Sequence, residues 1–373
     1  MRFKRIGAVF AVMVTALLCA CSAPVGSEAT SFSGAAQSGM LAVHFIDVGQ
    51  GDSEFIELPG GETMLIDGGE REYGETVCSY ISSLGYSEIT YLVATHPHSD
   101  HIGGLPQVLA DFDVENVYMP NVSSSSAIYG EFLDRVEAEG CMVTQAAASV
   151  GVIDENGLCA EFLAPVEDEY SELNNYSAVL KLTYGSTSFL FMGDAEELSE
   201  QQITADVSAN VIKVGHHGSD TSSSQQFVQR VSPQYAVFEV GKDNSYGHPS
   251  AEAVGRWQNA GAQILRTDLL GNIVITSDGE GLTVNTSQNA ETPAETSSQA
   301  QTSAQTTSAA QQSAEYSYIL NTSSKKIHLP DCSYAANMSE KNKEITSKSV
   351  EQLESEGYTP CKNCMADYDE SYH

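Results

Sequence analysis

Four side chains able to bind a metal fall within six residues at His96, His98, Asp100 and His101, directly after the apolar run Tyr91-Leu92-Val93-Ala94 and before Gly103-Gly104. They can converge only if the backbone leaves a strand and turns sharply into the next element, so this segment fixes a strand end and a metal loop before the rest of the chain is read. The spacing suits two adjacent ions. His96 and His98 share a face and can bind the first, while Asp100 and His101 reach the second. An ordinary polar surface loop has no need of three imidazoles and a carboxylate at this spacing.

Around this loop the chain reads as short apolar runs punctuated by Gly, Pro, Asn and Asp. Strands are predicted over 41–47, 54–58, 63–67, 91–95, 178–184, 188–192, 211–214, 235–240 and 273–277. Helices are predicted over 76–84, 127–139, 195–202, 225–231 and 251–260. Hairpin-like pairs followed by strand–helix alternation place the chain in the α/β class, with sheets packed between helices. His44 sits among alternating apolar residues and reads as a packed strand residue rather than a ligand.

Further chemistry-bearing residues stand at predicted strand ends: Asp67 in Leu65-Ile66-Asp67-Gly68-Gly69, Asp194 in Phe191-Met192-Gly193-Asp194-Ala195, His216 and His217 in the run Lys213 to Ser219, and His248 in Tyr246-Gly247-His248-Pro249-Ser250. Together with Phe45-Ile46-Asp47-Val48-Gly49-Gln50-Gly51-Asp52, these segments resemble the metallo-β-lactamase superfamily, and most closely its ComEC-type competence hydrolase branch with its stand-alone lipoprotein relatives. The resemblance implies an αββα sandwich with two divalent metal ions, zinc or manganese, at one edge of the sheets. It implies that Asp67 orients the metal loop, that Asp194 bridges both metals, and that His216 or His217 and His248 complete the metal ligands. Asp100, His217 and His248 are then the catalytic candidates. Which of the three histidines is ligand and which faces substrate is not readable. Asp52 either supports the metals from behind or is a turn carboxylate.

One departure from the superfamily's pattern stands out. No histidine lies between His101 and Asp194, where β-lactamase-like and thioesterase-like members place one; Asn174, Asn175 and Ser177 occupy the region. The first metal is then short of nitrogen ligands, which favours manganese over zinc and speaks against a true β-lactamase. The leading expectation is a phosphodiesterase or nuclease-type hydrolase. A hydrolase of lactams, lactones or thioesters and a non-catalytic DNA-binding surface module are the alternatives.

Charge narrows the partners. The formal net charge is −33, and only Arg71, Arg135, Lys181, Lys213, Arg230, Lys242, Arg256 and Arg266 supply cations between Ser31 and Gly281. No wide basic footprint for duplex DNA is present, so a phosphate substrate would be gripped mainly by metal.

The flanks are read by composition. Arg2, Lys4 and Arg5 precede an apolar stretch ending in Leu18-Cys19-Ala20-Cys21, which resembles a bacterial lipobox; residues 1–21 are expected to be a lipoprotein signal, with Cys21 lipidated as an extracytoplasmic membrane anchor. Residues 22–39 then form a flexible tether, 40–285 the hydrolase domain, and 286–314, rich in Ser, Thr, Ala and Gln, a disordered linker. Residues 315–373 carry His328, Cys332, Cys361 and Cys364, a pattern for one closed structural zinc site in a small module that resembles Ada-like metal-binding modules. A disulfide among these cysteines is the competing reading; the middle cysteines Cys78, Cys141 and Cys159 read as buried hydrophobes, with a Cys141–Cys159 bridge as the alternative. The chain is expected to be a monomer.

Overall fold

A computed structural model of the chain describes residues 39–287, 318–328, 340–346, 348 and 350–361. They fall into two units divided between Ala294 and Glu295.

In the first unit, strands β1 (Leu41–Phe45), β2 (Glu54–Glu57), β3 (Thr63–Ile66), β4 (Glu88–Val93), β5 (Asp113–Met119) and β6 (Met142–Gln145) begin one sheet. The chain then builds a second sheet from β7 (Gly151–Glu155), β8 (Leu158–Phe162), β9 (Leu180–Tyr184), β10 (Thr187–Phe191), β11 (Val211–Lys213), β12 (Tyr235–Phe238) and β13 (Gln263–Arg266). It returns to the first sheet as β14 (Ile273–Ser277) and β15 (Leu282–Thr286). The strand orders are β15-β14-β1-β2-β3-β4-β5-β6 and β13-β12-β11-β10-β9-β8-β7. Each sheet is an antiparallel meander on one side and parallel on the other, with the change at β3 in the first and β10 in the second.

Period-two alternation explains the layering. Leu41, Val43 and Phe45 of β1 face the second sheet, where they join Ile56, Phe162, Leu182, Phe189, Phe191 and Val237 in the central core. The intervening outward positions, such as Phe55, Leu65 and Leu92, pack under helices α1 (Gly74–Ser83), α2 (Ser99–Ile102), α3 (Leu105–Asp111) and α4 (Ala127–Glu139). On the far side, Leu190, Ile212, Ala236 and Phe238 meet the layer that holds α5 (Glu197–Gln202), α6 (Gln225–Val231) and α7 (Ala251–Asn259), with Trp257 fully buried; the short α8 (Thr267–Leu270) follows. This is the αββα sandwich expected. Truncating a central ring such as Phe191 to alanine would cost about 3–5 kcal/mol through lost burial and the cavity left behind. Ser126 and Ser250 start α4 and α7 by accepting the Tyr129 and Ala253 N–H groups.

His44 is a core histidine of the outer face, hydrogen-bonded to Tyr80 Oη and Glu57 Oε1 at 2.9 Å each. The Cys141–Cys159 bridge does not form, and both residues are unbridged thiols. Cys141 stands before β6 in one sheet while Cys159 lies in β8 of the other.

The second unit is a small sheet of β16 (Tyr318–Asn321), β17 (Lys326–His328), β18 (Lys343–Thr346) and β19 (Thr359–Pro360), ordered β18-β16-β17-β19, with helix α9 (Val350–Ser355). Leu320, Ile327, Val350, Leu353 and Tyr358 form its core. His328 is buried at the end of β17, and Cys361 N–H donates to Ile327 O at 2.9 Å, so the backbone brings two of the four expected zinc positions side by side. Cys332, Cys364 and Cys21 lie outside the described residues.

Candidate metal centre

Five of the sequence motifs follow the carboxyl end of a strand in the parallel part of a sheet: Asp67 after β3, the His96–His101 loop after β4, Asp194 after β10, His216 and His217 after β11, and the loop carrying His248 after β12, whereas the segment ending in Asp52 follows β1, antiparallel to both neighbours. The parallel arrangement sends these loops to one edge of the sandwich.

Backbone contacts lace the loops together. Asp52 N–H donates to Asp100 O, Gly69 N–H to Asp52 O and Gly104 N–H to Gly69 O, at 3.2, 2.8 and 2.9 Å. Gly51 has φ +146°, and a Cβ there would collide with the Asp100 carbonyl, so only glycine lets the 45–52 segment approach this closely. Asp67 is the hub: its carboxylate accepts Thr95 N–H at 2.8 Å and Thr95 Oγ1–H at 2.6 Å, and lies 2.7 Å from His101 Nδ1. With Nδ1–H directed at Asp67, His101 presents Nε2 to the interior.

There the donors form two groups that share one residue. Asp100, His101, Asp194 and His217 offer ligand atoms within 4.8 Å of one another, as do His96, His98 and Asp194. Asp194 Oδ1 is 3.2 Å from His101 Nε2 and 3.5 Å from His217 Nε2, whereas Oδ2 is 3.8 Å from His96 Nε2. One carboxylate with two oxygens thus faces both halves, which an imidazole cannot do. His101 Nε2, His217 Nε2 and Asp194 Oδ1 are buried without a hydrogen-bond partner. Orphaned donors and acceptors converging in this way fit divalent metal ions, and the mixed nitrogen and oxygen set suits zinc or manganese.

The electrostatics follow the packing of acids against imidazoles: burial opposes it, but Asp194 and Asp52 raise His101 well above the ordinary imidazole value and His217 to about 10, positive charge that a bound metal ion would replace. Burial alone would raise Asp194, but His101, His217 and His96 outweigh it and hold the carboxyl well below the usual range. Burial, His101 and His98 keep His96 well below the ordinary imidazole value, leaving it neutral and able to ligate.

The adjacent His216 and His217 serve different halves. Both have positive φ, 50° and 53°, an uncommon conformation for histidine that splays their rings. His217 Nδ1 lies 2.9 Å from Glu239 O and 3.1 Å from Asp52 Oδ1, and its Nε2 is 3.4 Å from Asp100 Oδ2. His216 turns toward the other oxygen of Asp194, 3.8 Å from Oδ2, and touches Thr221 Oγ1 at 3.1 Å and Asn174 Nδ2 at 3.4 Å. His248 stands further out, its ring 5.4 Å from that of His216 and 6.4 Å from that of His217. Asn244 fixes its loop by donating to His248 O and accepting His248 N–H. Burial, followed by repulsion from His216 and His217, lowers His248.

Where a histidine was missed between His101 and Asp194, the structure places orienting groups. Ser177 Oγ accepts Asp194 N–H at 3.0 Å and lies 3.5 Å from His96 Nδ1, Asn174 touches His216, and Asn175 donates to Glu196. Sequence reasoning passed over Glu54, Lys213 and Glu239, all buried behind the ligands. Their only signal was a charged residue at an inward position of an apolar strand pattern. Burial, then Glu239 and Asp52, pushes Glu54 far up; burial, then Asp52, pushes Glu239 up to about 8.

Residues 46–238 match the description "Metallo-beta-lactamase superfamily". ComE operon protein 3 of Bacillus subtilis (strain 168) is 30% identical over 251 residues, covering 62% of this chain and 32% of that protein. Competence protein ComA of Neisseria gonorrhoeae is 31% identical over 235 residues, covering 62% and 31%. The chain spans about a third of the length of these curated relatives. Among solved structures, CmlA, a diiron beta-hydroxylase from Streptomyces venezuelae, is similar with TM-score 0.45 and 16% identity over 64% of this chain and 54% of its own.

Proposed function

This chain belongs to the metallo-beta-lactamase superfamily and is a metal-dependent hydrolase, and on that premise we propose that it cleaves phosphodiesters, nucleic acid being the first substrate class to test. The observation that carries the reading is Asp194, whose two oxygens each face a separate donor set. Two divalent ions bound there would supply Lewis acidity toward phosphoryl oxygens and lower the proton affinity of water.

The protein's own groups divide the remaining work. Asp67, Asp52, Glu239 and Ser177 orient His101, His217 and His96, so that ligand atoms need not rearrange during the reaction. His217 is fixed through Nδ1 at Glu239 O and turns an unpartnered Nε2 into the donor cluster, which assigns it to the metal rather than to proton transfer. His248 is the proton carrier: it is half-buried at the rim, and its Nδ1 has no hydrogen-bond partner. A histidine held below its ordinary range is a stronger acid once protonated, which suits delivery of a proton to a leaving alkoxide. Asp100, close to His217 and beside the donor cluster, is a ligand of the second half of the site. The absence of a histidine between His101 and Asp194 favours manganese and a phosphoryl rather than a lactam substrate.

The same reading places the protein outside the cytoplasm, anchored by lipid at Cys21; the basic-then-apolar run before Cys21 and a relative named as a competence protein support it. No helix among the described residues is long and apolar enough to cross a membrane. His328, Cys332, Cys361 and Cys364 are the ligands of a structural zinc in an Ada-like module, supported by the closeness of Cys361 to the end of β17.

The test is hydrolysis of single-stranded DNA, bis-p-nitrophenyl phosphate and a chromogenic lactam with manganese or zinc, beside the Asp194→Ala variant. Phosphodiester cleavage lost in the variant is expected. Lactam turnover without phosphodiester cleavage would move the chain to carboxyl substrates, and silence on all three would leave a binding module.

A further inference from the structure

The most heavily charged part of the interior lies behind the metal ligands. Asp52, Glu54, Lys213 and Glu239 are each 1% exposed. Strand alternation puts them there: Val211 faces the central core and Ile212 the helix layer, so Lys213 faces inward again; Val237 and Phe238 do the same for Glu239, and Ile56 and Phe55 for Glu54. One oxygen from each of Asp52, Glu54 and Glu239 lies within 4.8 Å of the others. Burial pushes Glu54 and Glu239 toward their neutral forms, so Asp52 is the acid that needs a buried countercharge, and that cation is covalent: Lys213 Nζ pairs with Asp52 Oδ2 and donates to Gly193 O at 3.1 Å.

These contacts lead to both halves of the metal centre. Asp52 Oδ1 is 3.1 Å from His217 Nδ1, and its Oδ2 is 3.6 Å from His101 Nδ1. Gly193 immediately precedes Asp194, and its carbonyl also accepts His216 N–H at 3.1 Å. A single ammonium therefore reaches Asp52 from the first sheet and the Asp194 turn from the second. We infer that Lys213 is a built-in cation, paired with Asp52 beside Glu54 and Glu239, and that it positions His217 and Asp194 for metal binding. The inference rests on the metal reading of the site and not on the identity of the substrate. Burial opposes the charge on Lys213, but Asp52, Asp194, Glu54 and Glu239 outweigh it and keep the ammonium above the ordinary lysine range.

The experiment uses the full chain with Lys213→Ala and Lys213→Arg, reading Mn²⁺ affinity and stoichiometry by calorimetry with methylammonium or ethylammonium chloride, or sodium chloride at equal ionic strength. Lys213→Ala is expected to weaken Mn²⁺ binding by about 10–100-fold, the range for loss of groups that orient metal ligands. A small alkylammonium should recover a substantial part of that loss, and sodium should not. Mn²⁺ affinity unchanged in folded Lys213→Ala, or recovered equally by sodium, would overturn the inference. Should Lys213→Ala fail to fold, the double variant Lys213→Met with Asp52→Asn removes both charges; it must still bind Mn²⁺ more weakly than wild type, and wild-type affinity there would overturn the inference as well. A wild-type chain that binds Mn²⁺ but cleaves no phosphodiester would defeat the proposed substrate and leave this inference standing, whereas one that binds no divalent metal would defeat both.

Discussion

Lys181 of β9 and Lys213 of β11 belong to the same sheet, and each pairs with an aspartate. Lys181 Nζ meets Asp206 Oδ2 at 2.9 Å, with the Asp206 side chain 74% exposed, so water and salt screen the pair. Lys213 meets Asp52 where both are excluded from water, beside two further carboxylates and the metal ligands. The outer pair can be lost with little consequence, because the Asp206 carboxylate is open to water and Lys181 Nζ also donates to Asp206 O at 3.0 Å. The inner pair cannot, since removing one partner strands the other in the interior. The chemistry is identical; position makes one pair an ornament of a strand and the other part of the metal centre.

The largest effect expected anywhere in the molecule sets the scale for this contrast. Asp194→Ala removes the carboxylate common to both donor groups and should lower phosphodiester hydrolysis by at least about 10³-fold, corresponding to loss of several kcal/mol of transition-state stabilisation. Circular dichroism should show the sandwich intact, because Asp194 lies outside the apolar core. Residual hydrolysis within tenfold of wild type would deny Asp194 its bridging role.

Next in size is the inner pair itself. Lys213→Met leaves Asp52 buried and uncompensated, and a loss of about 3–5 kcal/mol in urea unfolding is expected. Adding Asp52→Leu should return much of that loss, since two apolar residues replace two charges. The contrast collapses if Lys213→Met proves no more damaging than Lys181→Met in the same titration.

What could be read from sequence follows the same division between contiguous signals and contacts made across sheets. His96, His98, Asp100 and His101 lie in one short run, and Asp67 and Asp194 end apolar strands beside glycines, so local pattern announces them. Lys213 carries no such announcement: in Val211-Ile212-Lys213-Val214 the residue looks like a strand end exposed to water. Only pairing with β10 and β12 shows that it faces the other sheet. His216 and His217 are adjacent, and sequence could not tell them apart; the left-handed turn assigns them to opposite oxygens of Asp194. All nine predicted strands are present, whereas β5, β6, β7, β8, β13 and β15 were not foreseen. β6, β7, β13 and β15 lie at or next to sheet edges, and at β6 Met142 and Val143 are largely exposed, so alternation is weak where one face has little to cover it.

The outer pair supplies the smallest effect and the one with a definite pH window. Hydrogen bonding from Lys181, followed by that from Ser208, lowers the Asp206 carboxyl to about 2. An unfolded aspartate titrates near about 3.9, so the folded state favours the ionised form. The resulting stability is present above about pH 4 and is lost as the pH falls toward 2. Exposure limits it to about 0.2–1 kcal/mol, far less than the shift would suggest for a buried group. Asp206→Asn should therefore differ from wild type by that amount in thermal melts at pH 6, by less at pH 3, and by less again in 1 M salt. Lys213→Met should keep most of its deficit in high salt, because ions cannot enter between Lys213 and Asp52. A salt response of the same size for both variants would mean that the inner pair is hydrated, and its role as a fixed internal cation would fail with the comparison.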